Sequence, residues 1–333
     1  MPIDVITSDK IKLTIEEAGA LGRQALERIG LSQEDAGTVT DHLVDNMMCG
    51  YDFAGLPRIL AIAESPELQK PRRPVSVVHE TPISAVVDGG NNVGYISLVK
   101  AVDIAIEKAK ASGISVVGVN NSWFSGRNAY YLEKISRAGF VGFHTASGPG
   151  LVVPIGATRP ALGTNPLSFA FPGKPDPLIF DMGTAMTMWG EVLLMALLNQ
   201  EFPEGVGVDK DGKPTTSARE IAKGGVLPLA GHKGYGLSVM VQAFGVLAGA
   251  KARAGEVLDS GFFFIALSPD LLMPSAEFHR QLAEMTSKIK SLPRQPGVSE
   301  IRIPSERSFR EREIHREEGV LLDRAVHERL LAL

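Results

Sequence analysis

The segment from residue 163 to residue 191 constrains the fold of this chain more than any other. Its two short apolar runs, at 167–171 and 178–180, have the length and residue types of buried strands. Turn-forming residues (Pro, Gly, Asn and Asp) lie between the runs and on either side of them. The pattern predicts a hairpin between core strands. Its ends are rich in Gly, Thr and Asn, which also lets backbone donors approach a ligand closely.

Helices and strands interleave along the rest of the chain. Helical patterns and start signals predict helices at 14–29, 32–50, 96–112 and 129–137. Further helices are predicted from after Glu191 to 200, at 237–248 and 275–291, and in the tail from 311. Short apolar runs predict strands at 75–79, 83–88, 114–119, 140–144 and 262–267. A turn is predicted at 89–92, and loops at 120–126 and 224–236. The fold class is therefore α/β or α+β.

Composition narrows the classes of partner and location. The formal net charge of −4 provides no basic surface for nucleic acid or for an anionic membrane. No run reaches the roughly 18 apolar residues of a transmembrane helix, and the first residues lack the pattern of a signal peptide. Cys49 is the single cysteine, which excludes an intrachain disulfide and fits a reducing compartment. We expect a cytoplasmic protein with no nucleic-acid or membrane partner.

The common catalytic and nucleotide-binding motifs are missing from the sequence. No Gly-x-Gly-x-x-Gly follows a strand, no phosphate loop is present, and no Gly-x-Ser-x-Gly elbow appears. The seven histidines do not share a metal-site spacing with one another or with carboxylates. These absences give no support to a Rossmann fold and predict no metal site.

Six glycine- and polar-rich motifs nevertheless occur in a recognisable order. They are Asn121-Ser122 with Gly126, Gly163-Thr-Asn-Pro166, Phe180-Asp-Met-Gly-Thr184, Gly190-Glu191, Asp209-Lys-Asp-Gly212 and the run LPLAGHKGYGL at 227–237. Together they resemble the malate/L-lactate dehydrogenase family of the non-Rossmann type, over residues 10–325. The resemblance implies an NAD(P)-binding fold without a Rossmann motif, with a mixed central sheet and N-terminal helices. It also implies a homodimer.

The resemblance further implies a reaction and a set of site residues. The reaction is hydride transfer between a nicotinamide cofactor, NADP or NAD, and C2 of a small 2-oxo or 2-imino acid. Arg58 and Thr164 would bind the substrate, and Glu191 would be the catalytic carboxylate. The residues that would line the cofactor are Ser122, Asp181, Met182, Gly183, Thr184, His232, Lys233, Gly234, Pro304, Ser305, Glu306 and Arg307. Loop amides suit a pyrophosphate, and Lys233 suits a phosphate charge.

We expect three regions in the chain. Residues 1–70 form an N-terminal helical segment that packs with the C-terminal region. Residues 75–120 and 210–333 form the main mixed-sheet domain, and residues 121–209 form a cofactor and substrate loop domain.

The acid–base residues depart from the family pattern. Members carry Ser-His-Gly after the second helix, and here Phe53 and Ala54 stand where the serine and histidine belong. Phe124 replaces a second family histidine. Arg58 is retained, and its planar guanidinium suits bidentate binding of a carboxylate. A ketone reductase without its general acid would lose about 10²–10⁴-fold in rate.

Three explanations of this departure stay open. In the first, which is slightly preferred, the substrate is an imine that is already protonated. In the second, another group of the protein donates the proton. In the third, the protein is a non-catalytic nucleotide-binding paralogue. The apolar pocket would favour the protonated form of a nearby carboxylate such as Glu191 and so make it an acid. The candidate donors are Glu191, Tyr51, Tyr130, Tyr131, His144 and His232.

Overall fold

A computed structural model describes residues 9–253, 256–257 and 260–333. The strands are β1 (Lys10–Leu13), β2 (Ser76–Glu80), β3 (Ser84–Val93), β4 (Ile114–Trp123), β5 (Val141–Ser147), β6 (Leu167–Phe171), β7 (Leu178–Met182), β8 (Gly207–Val208), β9 (Pro214–Thr215), β10 (Gly225–Val226), β11 (Ala252–Arg253), β12 (Glu256–Val257), β13 (Ser260–Leu267) and β14 (Val320–Asp323). The helices are α1 (Ile15–Arg28), α2 (Gln33–Met48), α3 (Arg58–Ala63), α4 (Gly94–Ser112), α5 (Asn128–Arg137), α6 (Trp189–Leu197), α7 (Ala218–Ile221), α8 (His232–Leu247), α9 (Ser275–Lys290), α10 (Glu306–Glu318) and α11 (Arg324–Leu331).

One sheet dominates the described residues, with seven strands in the order β2-β3-β4-β13-β5-β6-β7. β3 and β4 are parallel, joined by α4, and the other neighbouring pairs are antiparallel. The predicted hairpin is β6–β7, in which Phe169 pairs with Phe180. The mixed central sheet and the α/β class are confirmed.

The two faces of the sheet bury different helices because successive strand residues point to opposite sides. Phe262 and Phe264 belong to a core with residues of α4 and α5, among them Leu98 and Leu132. Phe263 lies between them in sequence and stacks on Phe244 of α8, with ring centroids 4.9 Å apart. The centre of the sheet is thus covered on both sides.

A second core joins the two ends of the described chain. α1, α2 and α3 contribute buried residues such as Leu26, Leu43 and Ile59, and these pack with Leu322 of β14 and Leu330 of α11. β1 pairs with β14 in antiparallel register. The helices therefore pack with the C-terminal region, and residues 1–8 of the predicted 1–70 segment lie outside the described residues. The seven-stranded sheet spans the predicted boundary at residue 121, and the three-part division stays a prediction.

Local chemistry explains where the main helices begin and end. Thr14 and Glu17 form the predicted capping box at the start of α1. Ser32 caps α2 through the Asp35 amide. Gly113 ends α4 in a left-handed conformation, with φ of 79°. In the part of the chain that the structure describes, no helix combines the length and apolar character needed to cross a membrane.

Two predicted interruptions of the sheet are wrong. β3 continues through the expected turn at 89–92, and β4 continues to Trp123 through the expected loop at 120–126. Gly90 and Asn91 take positive φ values of 63° and 62°, and the register shifts between Asp88 and Asn92. The irregularity is absorbed as a bulge, because the strands pair again beyond it, where Asn92 lies opposite Ser122.

Two predicted helix starts are also wrong. α8 begins at His232, inside the expected glycine-rich loop, and α6 begins at Trp189, so Glu191 lies in its first turn. Packing outweighs the low helix propensity of Gly234. A Cβ atom there would lie 2.2 Å from the Leu229 carbonyl oxygen and 2.6 Å from that of Thr184. Only glycine lets the helix begin this close to the neighbouring chain.

Candidate active site

A cavity of about 140 Å³ lies where the turn before α3, the ends of β4 and β5, and the segment before α6 meet. Phe53, Ala54 and Arg58 line one side of it, and Phe124 and Thr164 line others. The structure thus brings together the two predicted substrate residues and all three substituted positions. The lining is mostly apolar, and Arg58 provides its charge.

Arg58 is held in a fixed orientation at the start of α3. Its guanidinium carbon lies over the Phe124 ring, 4.5 Å from the centroid, an attractive cation–π contact. Gly190 also lies close to Arg58, because a Cβ atom there would lie 3.2 Å from Arg58 Nη1 and 3.2 Å from the Phe53 carbonyl oxygen. Phe124 and the absent side chain of Gly190 therefore leave the guanidinium free to point into the cavity.

The turn that carries Phe53 and Ala54 is anchored by side chains from other elements, and Lys10 pairs with Asp52 of the turn at 3.1 Å. The Asn46 side-chain amide donates to the Ala54 carbonyl at 2.8 Å. Arg127 Nε donates to Asn46 Oδ1 at 2.9 Å, which fixes that amide. These bonds hold the turn in place with Phe53 and Ala54 at its centre.

None of the six proton donors proposed from the sequence lines this cavity in the described chain. The Glu191 carboxylate accepts a hydrogen bond from Thr187 Oγ1. His144 stacks on Phe264, with centroids 3.8 Å apart, and burial lowers its pKa to about 3. The Tyr131 hydroxyl donates to the Ser125 carbonyl at 2.6 Å.

The remaining three donor candidates also lie away from the cavity. Ser308 Oγ lies 3.3 Å from the Tyr51 hydroxyl, next to α10. His232 is exposed at the start of α8. Tyr130 packs on the ring of His42, and burial raises its pKa to about 12.

Tyr95 is the cavity residue that sequence reasoning missed. It is the second residue of α4 and is fully buried. Burial raises the pKa of its phenol, and the nearby Arg58 guanidinium opposes that rise. In the sequence, Tyr95 stands just before the helix predicted at 96–112, so only the folded arrangement shows that it reaches the cavity.

One group of predicted cofactor residues lies in the corner next to the cavity. The Thr184 amide and hydroxyl both donate to the Thr164 carbonyl, at 3.0 and 3.1 Å. The Leu229 amide donates to the Thr184 carbonyl at 2.9 Å, which draws the start of α8 and Gly234 close. A Cβ atom on Gly183 would lie 2.4 Å from Met188 Sδ. Residues 163–166, 181–184 and 231–234 therefore meet at one place.

Two other predicted cofactor residues use their side chains inside the protein. Asp181 accepts from Ser168 Oγ at 2.6 Å and from the Ala129 amide at 2.9 Å, at the start of α5. Burial raises the pKa of Asp181, and these hydrogen bonds oppose the rise. Ser122 Oγ donates to the Asn92 carbonyl at 2.6 Å. Both positions offer a ligand their backbone more readily than their side chains.

The turn at residues 304–307 lies at the opposite end of β7 from the cavity. Ser305 Oγ donates to the Ile179 carbonyl at 2.8 Å. Beside the turn is a separate apolar cavity of about 160 Å³, lined by Phe169, Phe171, Leu178, Phe180, Met285, Thr286, Ile289, Ile303 and Pro304. The partly exposed pair Phe169 and Phe180 lies along the strands that run between the two cavities.

The comparisons with known proteins agree with this architecture. A family model described as malate/L-lactate dehydrogenase matches residues 13–331. The chain belongs to the malate/L-lactate dehydrogenase family.

L-sulfolactate dehydrogenase of Methanocaldococcus jannaschii is 32% identical over 315 residues, covering 92% of this chain and 91% of the relative. The Δ1-pyrroline-2-carboxylate/Δ1-piperideine-2-carboxylate reductase of Pseudomonas putida is 34% identical over 246 residues, 70% of each chain.

A solved structure of the same family has the same fold. Malate dehydrogenase from Pyrococcus horikoshii OT3 superposes with a TM-score of 0.83 at 28% identity, covering 98% of this chain and 96% of that chain. The malate/L-lactate dehydrogenase family is a family of oxidoreductases. The family membership that the six motifs predicted is confirmed. In this chain, Phe53, Ala54 and Phe124 line the cavity together with Arg58.

Proposed function

We propose that this protein is an NADP- or NAD-dependent oxidoreductase that reduces a small 2-imino acid, such as a cyclic ketimine carboxylate, or a 2-oxo acid. The observation that carries the proposal is the position of Arg58 in a mostly apolar cavity that Thr164 also lines. A guanidinium in such surroundings binds a carboxylate through two parallel hydrogen bonds. The small volume of the cavity suits a small substrate.

The residues around the two cavities fit a nicotinamide dinucleotide, which supplies hydride when bound. The apolar cavity near Pro304 suits a purine ring, and Phe169 and Phe180 give an apolar path between the cavities. Lys233, exposed in the first turn of α8, suits a phosphate. At Gly231 a Cβ atom would meet nothing within 4 Å, which leaves room for a ligand.

The same cavity favours an imine as substrate. A protonated imine needs no proton from the protein when C2 accepts hydride, so the loss of the Ser-His pair costs nothing for that substrate. The Pseudomonas putida relative is named for the reduction of two cyclic imines. The alternative is a non-catalytic nucleotide-binding paralogue, which Phe53, Ala54 and Phe124 also favour.

Glu191, in the first turn of α6, remains our proposal for the catalytic carboxylate.

We also propose a homodimer in the cytoplasm. Leu237, Met240 and Leu247 form an exposed apolar stripe along α8, and a second copy of the chain would cover it. The cytoplasmic location rests on the single cysteine, Cys49, which is buried and unpaired.

Nicotinamide fluorescence tests the proposal directly. We expect the purified protein to bind NADPH or NADH and then to oxidise it when pyrroline-2-carboxylate, piperideine-2-carboxylate, pyruvate or oxaloacetate is added. Binding without oxidation by any of these acids would favour the non-catalytic alternative. Failure to bind either cofactor would overturn both the oxidoreductase proposal and the non-catalytic alternative.

Restoring the family residues tests the geometry of the cavity. In the double variant Phe53→Ser with Ala54→His, we expect reduction of 2-oxo acids to rise by about 10²-fold or more, because a general acid is returned to the turn beside Arg58. The single variant Phe53→Ser is the control, since it opens space without adding the acid. An equal change in both variants would contradict the assignment of this turn.

A further inference from the structure

In the described part of the chain, two of the side chains that line the cavity are titratable: Arg58 and Tyr95. A guanidinium keeps its proton in proteins. The serine and threonine hydroxyls of the lining do not ionise in the physiological range, whereas a tyrosine phenol has an ordinary pKa near 10. Tyr95 is therefore the lining residue that is able to release a proton to a ligand.

The Tyr95 hydroxyl is in an unusual position for a buried group. Its oxygen is almost fully buried although the side chain lines the cavity, and within the described residues it makes no well-directed hydrogen bond. Buried polar groups are almost always paired, so an unpaired one calls for a partner that arrives later. Burial raises the pKa of Tyr95, while the Arg58 guanidinium beside it favours the ionised phenol. The phenol is protonated at neutral pH, next to a cation that stabilises the anion it leaves.

The ring of Tyr95 is fixed from behind. The His42 ring meets it edge-on, with centroids 4.8 Å apart. Gly126 leaves the space the ring occupies, because a Cβ atom there would lie 2.4 Å from Tyr95 Cε1. A ring held on these sides keeps its hydroxyl at one place beside Arg58.

We propose that Tyr95 donates the proton when a 2-oxo acid is reduced in this cavity. The inference rests on the proposed function. C2 of the substrate accepts hydride from the reduced nicotinamide, and the carbonyl π pair moves onto the carbonyl oxygen. That oxygen takes the proton of Tyr95 Oη, which gives the 2-hydroxy acid. Arg58 stabilises the phenolate, and water returns its proton when the product leaves.

The Tyr95→Phe variant separates this role from core packing. We expect its rate of 2-oxo acid reduction to fall by about 10²–10⁴-fold, the usual contribution of a general acid. Reduction of a protonated cyclic imine should change by less than about threefold, because that substrate brings its own proton. Cofactor affinity, measured by nicotinamide fluorescence, should match that of the wild type. Tyr130→Phe is the control for activity, since Tyr130 touches the same His42 ring but does not line the cavity.

Thermal unfolding of the cofactor-free protein provides a readout independent of turnover. Tyr95→Phe removes an unpaired hydroxyl, so we expect an unfolding temperature equal to or above that of the wild type. Tyr131→Phe, which breaks the bond to the Ser125 carbonyl, should unfold at a lower temperature. A comparable fall in Tyr95→Phe would show that its hydroxyl is bonded inside the protein, and would overturn the proposal.

The wild-type measurements distinguish the two levels of failure. A wild type that binds no cofactor, or oxidises none with any acid, would overturn the proposed function and this proposal with it. A wild type that reduces imines but no 2-oxo acid would overturn only the role of Tyr95. The same conclusion would follow if Tyr95→Phe retained 2-oxo acid reduction, or lost both reactions equally.

Discussion

Arg58 is the residue on which substrate binding depends, because it provides the charge in an apolar cavity. We expect Arg58→Lys to raise KM for the acid by roughly 10–100-fold, since lysine keeps the charge but loses the two parallel hydrogen bonds and the stacking on Phe124. Steady-state kinetics would measure this, with cofactor affinity unchanged. Arg28→Lys, on the surface of α1, is the matched control. An unchanged KM in Arg58→Lys would mean that the carboxylate binds elsewhere.

At the residue scale, the order of motifs along the chain predicted a shared site for two distant residues, and their roles in binding stay predictions. Arg58 and Thr164 are far apart in sequence, yet the motif pattern paired them and the structure places both at one cavity. Tyr95 was missed because its place in the site depends on how α4 packs against the ends of the strands. The side chains of Asp181 and Ser122 turned inward for a similar reason, since each satisfies buried neighbours that sequence spacing does not reveal.

At the scale of elements, a buried cluster of charges joins three helices behind the site. Arg312 of α10 makes two hydrogen bonds to the Glu133 carboxylate of α5, at 2.9 and 2.7 Å. Asp45 of α2 accepts from Arg312 at 3.2 Å and from Arg127 at 2.6 Å. Burial alone would raise the pKa of Glu133, but Arg312 and Arg137 hold it below its usual value. The cluster fixes α2 and α5, whose ends carry the turn at 52–54 and the loop with Phe124.

Removing one member of this cluster should weaken the fold. We expect Arg312→Gln to lower the free energy of unfolding by about 1.5–3 kcal/mol, because Asp45 and Glu133 lose charged hydrogen bonds and keep one cation each, Arg127 and Arg137. Arg316→Gln is the control: Arg316 pairs with Glu313 on the surface of the same helix, and its loss should cost less than about 1 kcal/mol. Urea denaturation compares the two variants. Equal losses would show that the buried cluster contributes no more to the free energy of unfolding than a surface ion pair does.

At the scale of the whole molecule, the α/β class followed from interleaved helical and strand patterns, and the mixed sheet followed from the family resemblance. Strand lengths did not, because β3 and β4 continue through Gly- and Asn-rich segments that local rules assign to turns. Pairing between these two strands overrides the local preference. The start of α8 was misjudged for a related reason, since its glycines serve close packing and not a loop. The errors therefore fall at the edges of the site, where tertiary contacts, and not local sequence propensity, decide the secondary structure.

The exposed stripe on α8 connects the assembly of the molecule to its site. α8 begins at His232 and Lys233, in the corner next to the cavity, and its stripe continues through Met240 to Leu247, which is 70% exposed.

If a second copy covers the stripe, the variant Met240→Glu with Leu247→Glu should sediment as a monomer where the wild type sediments as a dimer, because two charges would be buried in the interface. Leu331→Glu, at an exposed leucine of α11, is the control and should leave the sedimentation unchanged. A wild type that sediments as a monomer would contradict the homodimer. A double variant that remains dimeric would place the interface on another surface. In the expected case, loss of the dimer should also weaken cofactor binding, because the same helix carries Lys233 toward the phosphates.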